Sequence, residues 1–150
     1  MKTLDESTIQ TLISKAFDML NFSYVPYSRY TVGAALLAKN GNIYTGCNIE
    51  NASFGPSNCA ERTALFKAVS EGVKDFTAIA IVGGPQKKVN DICSPCGVCR
   101  QVMMEFCNPA DFYVIMTDGP NSCRIRTLEE LLPLGFGPGN MKIRPMGGQS

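Results

Sequence analysis

Two short segments of the chain carry side chains that together could hold a metal ion and move protons. Cys59 and Glu61 lie in the first segment, and Cys96 and Cys99 lie in the second. Three thiolates can hold a zinc ion and leave its fourth coordination position open to water. A carboxylate two residues from a ligand can move the protons of that water. The spacing therefore favours a catalytic zinc site.

Histidine is absent from the chain, which narrows the choice of ligands and of proton carriers. A zinc ion would have to bind sulfur and oxygen atoms, and three thiolates would leave such a site with excess negative charge. That charge weakens zinc as a Lewis acid, so a nearby cation should offset it. Arg62 and Arg100 each directly follow one of the two segments. Arg62 is the better candidate, because it follows Cys59 by one helical turn.

Other interpretations fit the same cysteines. Cys93 precedes Cys96 by three residues, so Cys93 could complete a closed four-cysteine zinc site of the structural kind. The run could also begin an iron–sulfur site, although Cys107 follows later than the usual close spacing. Glu61 and Arg62 would then be ordinary solvent-facing helix residues. The spacing alone leaves these alternatives open.

Composition limits the classes of protein to which the chain can belong. A length of 150 residues suits one domain over residues 1–150, and 14 basic against 13 acidic residues give a net charge of +1. This balance argues against binding to a nucleic-acid polymer or a membrane surface. No apolar run approaches the roughly 20 residues of a membrane helix, and the first residues lack a signal-peptide pattern. Seven cysteines with two C-x-x-C steps predict metal binding in a reducing cytosol, hence a cytoplasmic location.

Apolar periodicity and turn residues predict the elements that position the two segments. A capping box of Thr3 and Glu6 begins a helix whose apolar residues end at Leu20. The dipeptide Asn40-Gly41 predicts a type I′ hairpin, in which both residues need φ > 0. The other predicted elements are strands at 32–38, 43–49, 76–82, 111–117 and 123–126, helices at 59–71, 96–106 and 128–132, and a Gly/Pro-rich tail from about 133.

The order of these elements predicts an α/β sandwich with a mixed sheet, because one hairpin is followed by crossover connections. Both cysteine segments open a helix, where unpaired N–H groups and the helix dipole favour thiolates. Asn48 and Glu50 lie two apart on a predicted strand, so they would share one face while Ile49 points to the core. A merely polar strand end is the alternative for this pair.

The motif pair C-A-E-R and P-C-x-x-C resembles the zinc nucleoside and nucleobase deaminases, which use a Cys₃ or His-Cys₂ site and a Glu that is not a ligand. Further segments resemble the small cytidine deaminases, in order and spacing, over about residues 3–138. They are YVPYS at 24–28, VGAALL at 32–37, GCNIEN at 46–51, CAERTA at 59–64 and SPCG at 94–97. The resemblance implies a three-layer α-β-α sandwich with a mixed five-stranded sheet.

The resemblance also implies a role for individual residues of this chain. Cys59, Cys96 and Cys99 would hold one Zn²⁺ per chain, Glu61 would carry protons, and Cys93 would be a bystander. The Ala60 N–H and the Ser94 carbonyl would contact the base, and Tyr30 would form a wall beside it. Asn48 and Glu50 would contact the ribose, and Arg62 would offset the charge of the zinc site. Phe136 would contact a neighbouring subunit's pocket. Tyr30 stands where the family usually has Phe, which adds a hydroxyl to an apolar wall. Packing of Phe136 on its own subunit is the alternative for that residue.

The implied activity is zinc-dependent hydrolytic deamination of cytidine and 2′-deoxycytidine to uridine and 2′-deoxyuridine, with release of ammonia, in pyrimidine salvage. The implied assembly is a homotetramer with shared active sites. Asn48 and Glu50 favour a free nucleoside as the partner, because they would hold sugar hydroxyls that a polynucleotide chain blocks.

Overall fold

The computed structural model describes residues 4–142 of the chain. In chain order the elements are α1 (Glu6–Met19), a short 3-10 helix (Leu20–Phe22), β1 (Tyr30–Ala38), β2 (Ile43–Cys47), α2 (Ala60–Ser70), β3 (Phe76–Pro85), α3 (Gly97–Phe106), β4 (Tyr113–Gly119), β5 (Ser122–Thr127) and α4 (Leu128–Leu131). None of the helices within residues 4–142 has the length and apolar character needed to cross a bilayer.

The five strands form one mixed sheet in the order β2-β1-β3-β4-β5. Strands β3 and β4 run parallel, and the other neighbours are antiparallel. Strand β5 lies at one edge of the sheet. The crossover that joins the parallel strands contains α3, so this helix must lie against one face of the sheet.

Helices cover both faces of the sheet, which confirms the predicted three-layer α-β-α sandwich. On one face α1 buries Leu12, Ile13 and Ala16 against alternate residues of the central strands. On the other face α2, α3 and α4 bury Leu65, Met103 and other apolar side chains. Full burial of each large apolar side chain stabilises the fold by about 1.5–3 kcal/mol. Both cores therefore fix the helices that carry the cysteine segments.

The first helix begins with a cap that the sequence pattern did not predict. Asp5 is the N-cap residue, and its carboxylate Oδ1 accepts a hydrogen bond from the Thr8 backbone N–H at 2.7 Å. The carboxylate also stabilises the positive end of the helix dipole. Thr3, the predicted cap, lies outside the described residues.

The predicted hairpin between β1 and β2 is confirmed, but the predicted type I′ geometry of its turn is wrong. Of the two predicted turn residues, Gly41 has a positive φ, at 89°, and Asn40 does not. The Gly41 N–H donates to the Ala38 carbonyl at 3.0 Å, and the Asn42 N–H donates to Asn40 Oδ1 at 3.0 Å. The Asn40 side chain therefore shapes the turn through a hydrogen bond, and the left-handed residue follows the turn centre.

Candidate active site

The N-termini of α2 and α3 meet and bring three sulfur atoms together. Cys59 and Cys96 are the N-cap residues of the two helices, both with extended backbones, and Cys99 lies in the first turn of α3. The Sγ atoms of Cys59, Cys96 and Cys99 all lie within 4.8 Å of one another, and those of Cys59 and Cys96 are 3.7 Å apart. Unpaired N–H groups at both helix ends favour the thiolate form.

The spacing of the sulfur atoms fits a zinc ion. A tetrahedral zinc with bonds of about 2.3 Å to sulfur places two ligand sulfurs roughly 3.8 Å apart. Cys99 is fully buried and Cys96 is exposed, so the cluster closes on the core side and opens towards solvent. Within residues 4–142 no fourth Cys, Asp or Glu joins this group. Three ligands and an open side are typical of a catalytic zinc site.

A glycine in β2 lets the first turn of α2 lie directly against the sheet. A Cβ atom on Gly46 would stand 2.4 Å from the Ala60 carbonyl oxygen and 2.6 Å from the Ala64 backbone nitrogen. Any side chain at this position would push the helix N-terminus away from β2. Gly46 is therefore required where the sequence places it, one residue before Cys47 at the end of the strand.

The guanidinium of Arg62 lies against the sulfur cluster. Its Nη2 donates to Cys59 Sγ at 3.3 Å. The hydrogen bond from the Cys99 thiol, followed by that from Arg62, lowers the pKa of Cys59 to about 5. Burial works against the charge of Arg62, but Cys59 and Cys99 outweigh it and raise the pKa of the guanidinium. Arg62 Nε is buried without a hydrogen-bond partner in the described part of the chain.

Arg100, the other cation next to a cysteine segment, has a different role. Its Nε donates to the Pro95 carbonyl at 2.8 Å, and its Nη1 donates to the Leu131 carbonyl at 2.7 Å. Both acceptors are backbone oxygens, so Arg100 ties the start of α3 to α4. The preference for Arg62 as the compensating cation agrees with this geometry.

Glu61 lies beside the sulfur cluster in the first turn of α2 and is only 3% exposed. Burial raises the pKa of Glu61 to about 7, while a hydrogen bond from the Cys99 thiol acts in the opposite direction. A carboxyl group with a pKa near 7 can both accept and donate a proton at neutral pH, which is what a proton shuttle needs. The structure therefore places a suitable acid–base group next to the sulfur cluster.

Asn48 and Glu50 lie close to the segment before β1, but not on a strand. The predicted strand at 43–49 ends at Cys47, and Ile49 is 45% exposed instead of pointing to the core. Ile49 forms isolated bridges with Tyr24 and Asn58, which draw the backbone out of the sheet. The prediction that Asn48 and Glu50 share one face of a strand is therefore wrong.

Hydrogen bonds nevertheless bring both side chains to one region. Glu50 accepts from the Tyr27 N–H at 2.9 Å and from the Ser28 N–H at 3.2 Å. Asn48 donates to the Tyr30 carbonyl at 2.8 Å and accepts from the Val32 N–H at 2.9 Å. The sequence analysis missed Ser28, although it stands inside the YVPYS segment that carries the family resemblance.

Tyr30 starts β1 on the sheet face that carries the cysteine cluster. Residues two apart on a strand share a face, and Val32 packs against the core beneath α2 and α3. Burial, followed by the neighbouring Cys93 thiol, raises the pKa of Tyr30. Cys93 Sγ lies 2.9 Å from the position that a Cβ on Gly83 would occupy, on the same face. Cys93 therefore stands beside Tyr30, outside the group of three ligands.

The remaining predicted site residues lie on the rim or beside the cluster. Ala60 is the first residue of α2 and is fully buried, so its N–H belongs to the helix end that has no intrahelical partner. Ser94 is exposed two residues before Cys96. Phe136 is 59% exposed, and its carbonyl accepts from Gln101 Nε2 at 2.8 Å.

Changing Cys93 to Ala should leave one zinc per chain, because Cys93 is outside the three-sulfur group. Metal analysis of the purified variant checks this, with wild-type protein measured in parallel. Cys123→Ala, which removes a thiol from the edge strand β5, is the matched control. Loss of zinc from Cys93→Ala but not from Cys123→Ala would support the closed four-cysteine site.

Comparison with known proteins shows clear relatives. Residues 6–116 match the family model described as the cytidine and deoxycytidylate deaminase zinc-binding region. The chain is 52% identical over 127 residues to a cytidine deaminase of Halalkalibacterium halodurans, covering 85% of this chain and 92% of the relative. It is 48% identical over 128 residues to a cytidine deaminase of Sporosarcina psychrophila, covering 85% and 90%. The fold matches the crystal structure of cytidine deaminase from Burkholderia pseudomallei with a TM-score of 0.78 at 41% identity, covering 89% of this chain and all of that one.

Proposed function

The chain belongs to the cytidine and deoxycytidylate deaminase family, and we propose that it hydrolyses the C4 amino group of cytidine and 2′-deoxycytidine. The products are uridine or 2′-deoxyuridine and ammonia. The observation that carries this proposal is the group of three thiolates with the buried Glu61 beside it. The names of the relatives support the substrate class.

Cys59, Cys96 and Cys99 hold the zinc ion, and Arg62 offsets part of their charge. Zinc, when bound, activates a water molecule as a nucleophile near neutral pH. Glu61 accepts a proton from the attacking water and delivers a proton to N3 of the pyrimidine. Glu61 then takes the proton of the hydroxyl newly added at C4 and gives it to the leaving amino group, so that the C4–N bond breaks and water and cytidine give uridine and ammonia without a net gain or loss of protons. Its raised pKa suits both directions of transfer.

Substrate contacts follow from the residues around the cluster. The Ala60 N–H and the Ser94 carbonyl contact the base, and Tyr30 forms one wall of the base site. Asn48 and Glu50 hold the sugar hydroxyls, and this role favours a free nucleoside over a polynucleotide. The polarity of the Tyr30 wall is supported by the hydrogen bond between its hydroxyl and Cys93.

The experiment that tests the proposed function measures ammonia release and the ultraviolet change from cytidine to uridine. We expect turnover of cytidine and 2′-deoxycytidine by zinc-loaded protein, and no turnover of cytosine within a single-stranded oligonucleotide. Protein that releases ammonia from neither nucleoside would contradict the proposed function.

Removing either sugar contact should weaken nucleoside use without loss of zinc. Loss of a hydrogen bond to a charged group costs about 1.5–3 kcal/mol, so Glu50→Ala should lower kcat/KM for cytidine by about 10- to 100-fold. Asn48→Ala should also lower kcat/KM, because its side chain holds the backbone on both sides of Thr31. Steady-state kinetics and metal analysis check both effects. Glu105→Ala, an exposed change at the far end of α3, is the control, and wild-type kinetics in both site variants would exclude the sugar assignment.

We also propose that the protein is a cytoplasmic homotetramer that acts in pyrimidine salvage, with residues 1–150 as one domain. Large aromatic side chains remain exposed on the chain, including Phe54 at 74% and Phe136 at 59%. Exposed apolar side chains of this size support contacts between subunits. Light scattering should report a mass near four times the 16.3 kDa of the chain. A fully active 16.3 kDa monomer would contradict the assembly.

A further inference from the structure

The turn that precedes β1 contains a serine hydroxyl with two partners. Ser28 Oγ donates to Glu50 Oε1 and accepts from the Tyr30 N–H at 3.1 Å. Glu50 also accepts from the backbone of the same turn, at Tyr27 and Ser28. The Ser28 side chain is therefore a direct bridge between the carboxylate of Glu50 and the backbone of Tyr30.

Asn48 holds Tyr30 from its other side. The Asn48 amide donates to the Tyr30 carbonyl at 2.8 Å, while Ser28 binds the Tyr30 N–H. Both backbone polar groups of Tyr30 are thus fixed by side chains. The proposed sugar contacts and the proposed base wall consequently form one hydrogen-bonded unit, in which Ser28 is the link to Glu50.

The backbone between Ser28 and Tyr30 needs these contacts. Arg29 has φ of 56°, a left-handed conformation that is unfavourable for a residue other than glycine. Such a conformation persists only when its surroundings over-determine it. The Arg29 N–H donates to the Val25 carbonyl at 3.0 Å, and the Arg29 carbonyl accepts from the Gln86 N–H at 2.8 Å. These two contacts and the hydrogen bond from the Tyr30 N–H to Ser28 Oγ together hold the turn from which Tyr30 begins β1.

We propose that Ser28 is a positioning residue that orients Glu50 for the sugar hydroxyls and couples that orientation to the placement of Tyr30 against the base. The ligand class is a nucleoside with free sugar hydroxyls, and this assignment rests on the proposed function. Ser28 acts through Glu50 and Tyr30, so its removal weakens binding of the ground state and the transition state alike. The loss then falls on KM and leaves kcat nearly unchanged.

The kinetic test compares Ser28→Ala with Ser28→Thr, which keeps the hydroxyl. The control is Ser70→Ala, at the C-terminal end of α2. We expect Ser28→Ala to raise KM for cytidine by roughly 10-fold, because the variant loses a hydrogen bond to the charged carboxylate of Glu50. Its kcat should stay within about threefold of wild type. Ser28→Thr should keep KM close to the wild-type value, and Ser70→Ala should have the wild-type KM. In a Glu50→Ala background, Ser28→Ala should change KM by less than about twofold, because coupled residues are not additive. An unchanged KM in Ser28→Ala, or the same increase in both backgrounds, would overturn the proposal.

A second measurement does not need a substrate. The hydrogen bond from Ser28 is the largest cause that lowers the pKa of Glu50. A carbon-13 NMR titration should therefore find a higher Glu50 pKa in Ser28→Ala than in wild-type protein or Ser70→Ala. An unmoved Glu50 pKa would overturn the link even if KM rises. If wild-type protein fails to deaminate cytidine while the Glu50 pKa moves as expected, the proposed function fails and the link between Ser28 and Glu50 stands.

Discussion

Protein with Cys99→Ala should purify without zinc and should show no measurable deamination of cytidine. Cys99 is the fully buried member of the three-sulfur group, and its thiol also contacts Glu61 and Cys59. Its loss leaves only two thiolates, too few to hold a catalytic zinc ion. Metal analysis and an ammonia assay on the same preparation measure both effects. We expect less than about a tenth of a zinc per chain, since metal affinity depends on the complete ligand set.

Cys107→Ala is a matched control for that change. Cys107 is also buried and follows α3 directly, but it lies at the opposite end of this helix from the cluster. A helix of 10 residues is about 15 Å long, so the Cys107 thiol cannot reach the metal. Like Cys99→Ala, the control loses one buried sulfur atom, but it should retain one zinc per chain. Full zinc content and activity in Cys99→Ala would contradict the three-ligand site.

The three-sulfur group was predictable from the sequence because its geometry is mostly local. Cys96 and Cys99 are separated by one helical turn, and a cysteine at an N-cap position must lie at the end of its helix. The sequence also indicated that Cys59 opens a second helix. What the pattern could not show is why the two helix ends meet, because that depends on Gly46 and on the packing of α2 against β2.

Elements whose ends are set by distant partners were harder to predict. The pair Gly83-Gly84 indicates a loop, yet β3 continues to Pro85 because Val32 and Thr31 of β1 pair with these two residues. The role of Ser28 was hidden for a similar reason. Its partner Glu50 lies 22 residues away, and nothing in the local pattern joins the two. Sequence spacing reports contacts within one element far better than contacts between loops.

Glu61→Gln should separate metal binding from chemistry. Glu61 is not a member of the three-sulfur group, so the variant should keep one zinc per chain and an unchanged fold. Gln has nearly the same volume and keeps one acceptor oxygen in a site where Glu61 is only 3% exposed. Metal analysis and the thermal unfolding midpoint check these two points. A variant that loses its zinc would show that Glu61 supports the metal directly.

The expected loss of kcat in Glu61→Gln is at least about 10⁴-fold. General acid–base catalysis is typically worth about 10²–10⁴-fold, and in the proposed mechanism Glu61 accepts protons from the water and the C4 hydroxyl and donates them to N3 and the leaving amine. An amide cannot perform any of these transfers at neutral pH, whereas a carboxyl with a pKa of about 7 can perform all of them. Binding of cytidine should survive, because Asn48 and Glu50 are unchanged, and calorimetric titration measures it. Deamination within tenfold of the wild-type rate would mean that another group carries the protons, and the buried carboxyl beside the cluster would then have to be explained by its contact with Cys99 alone.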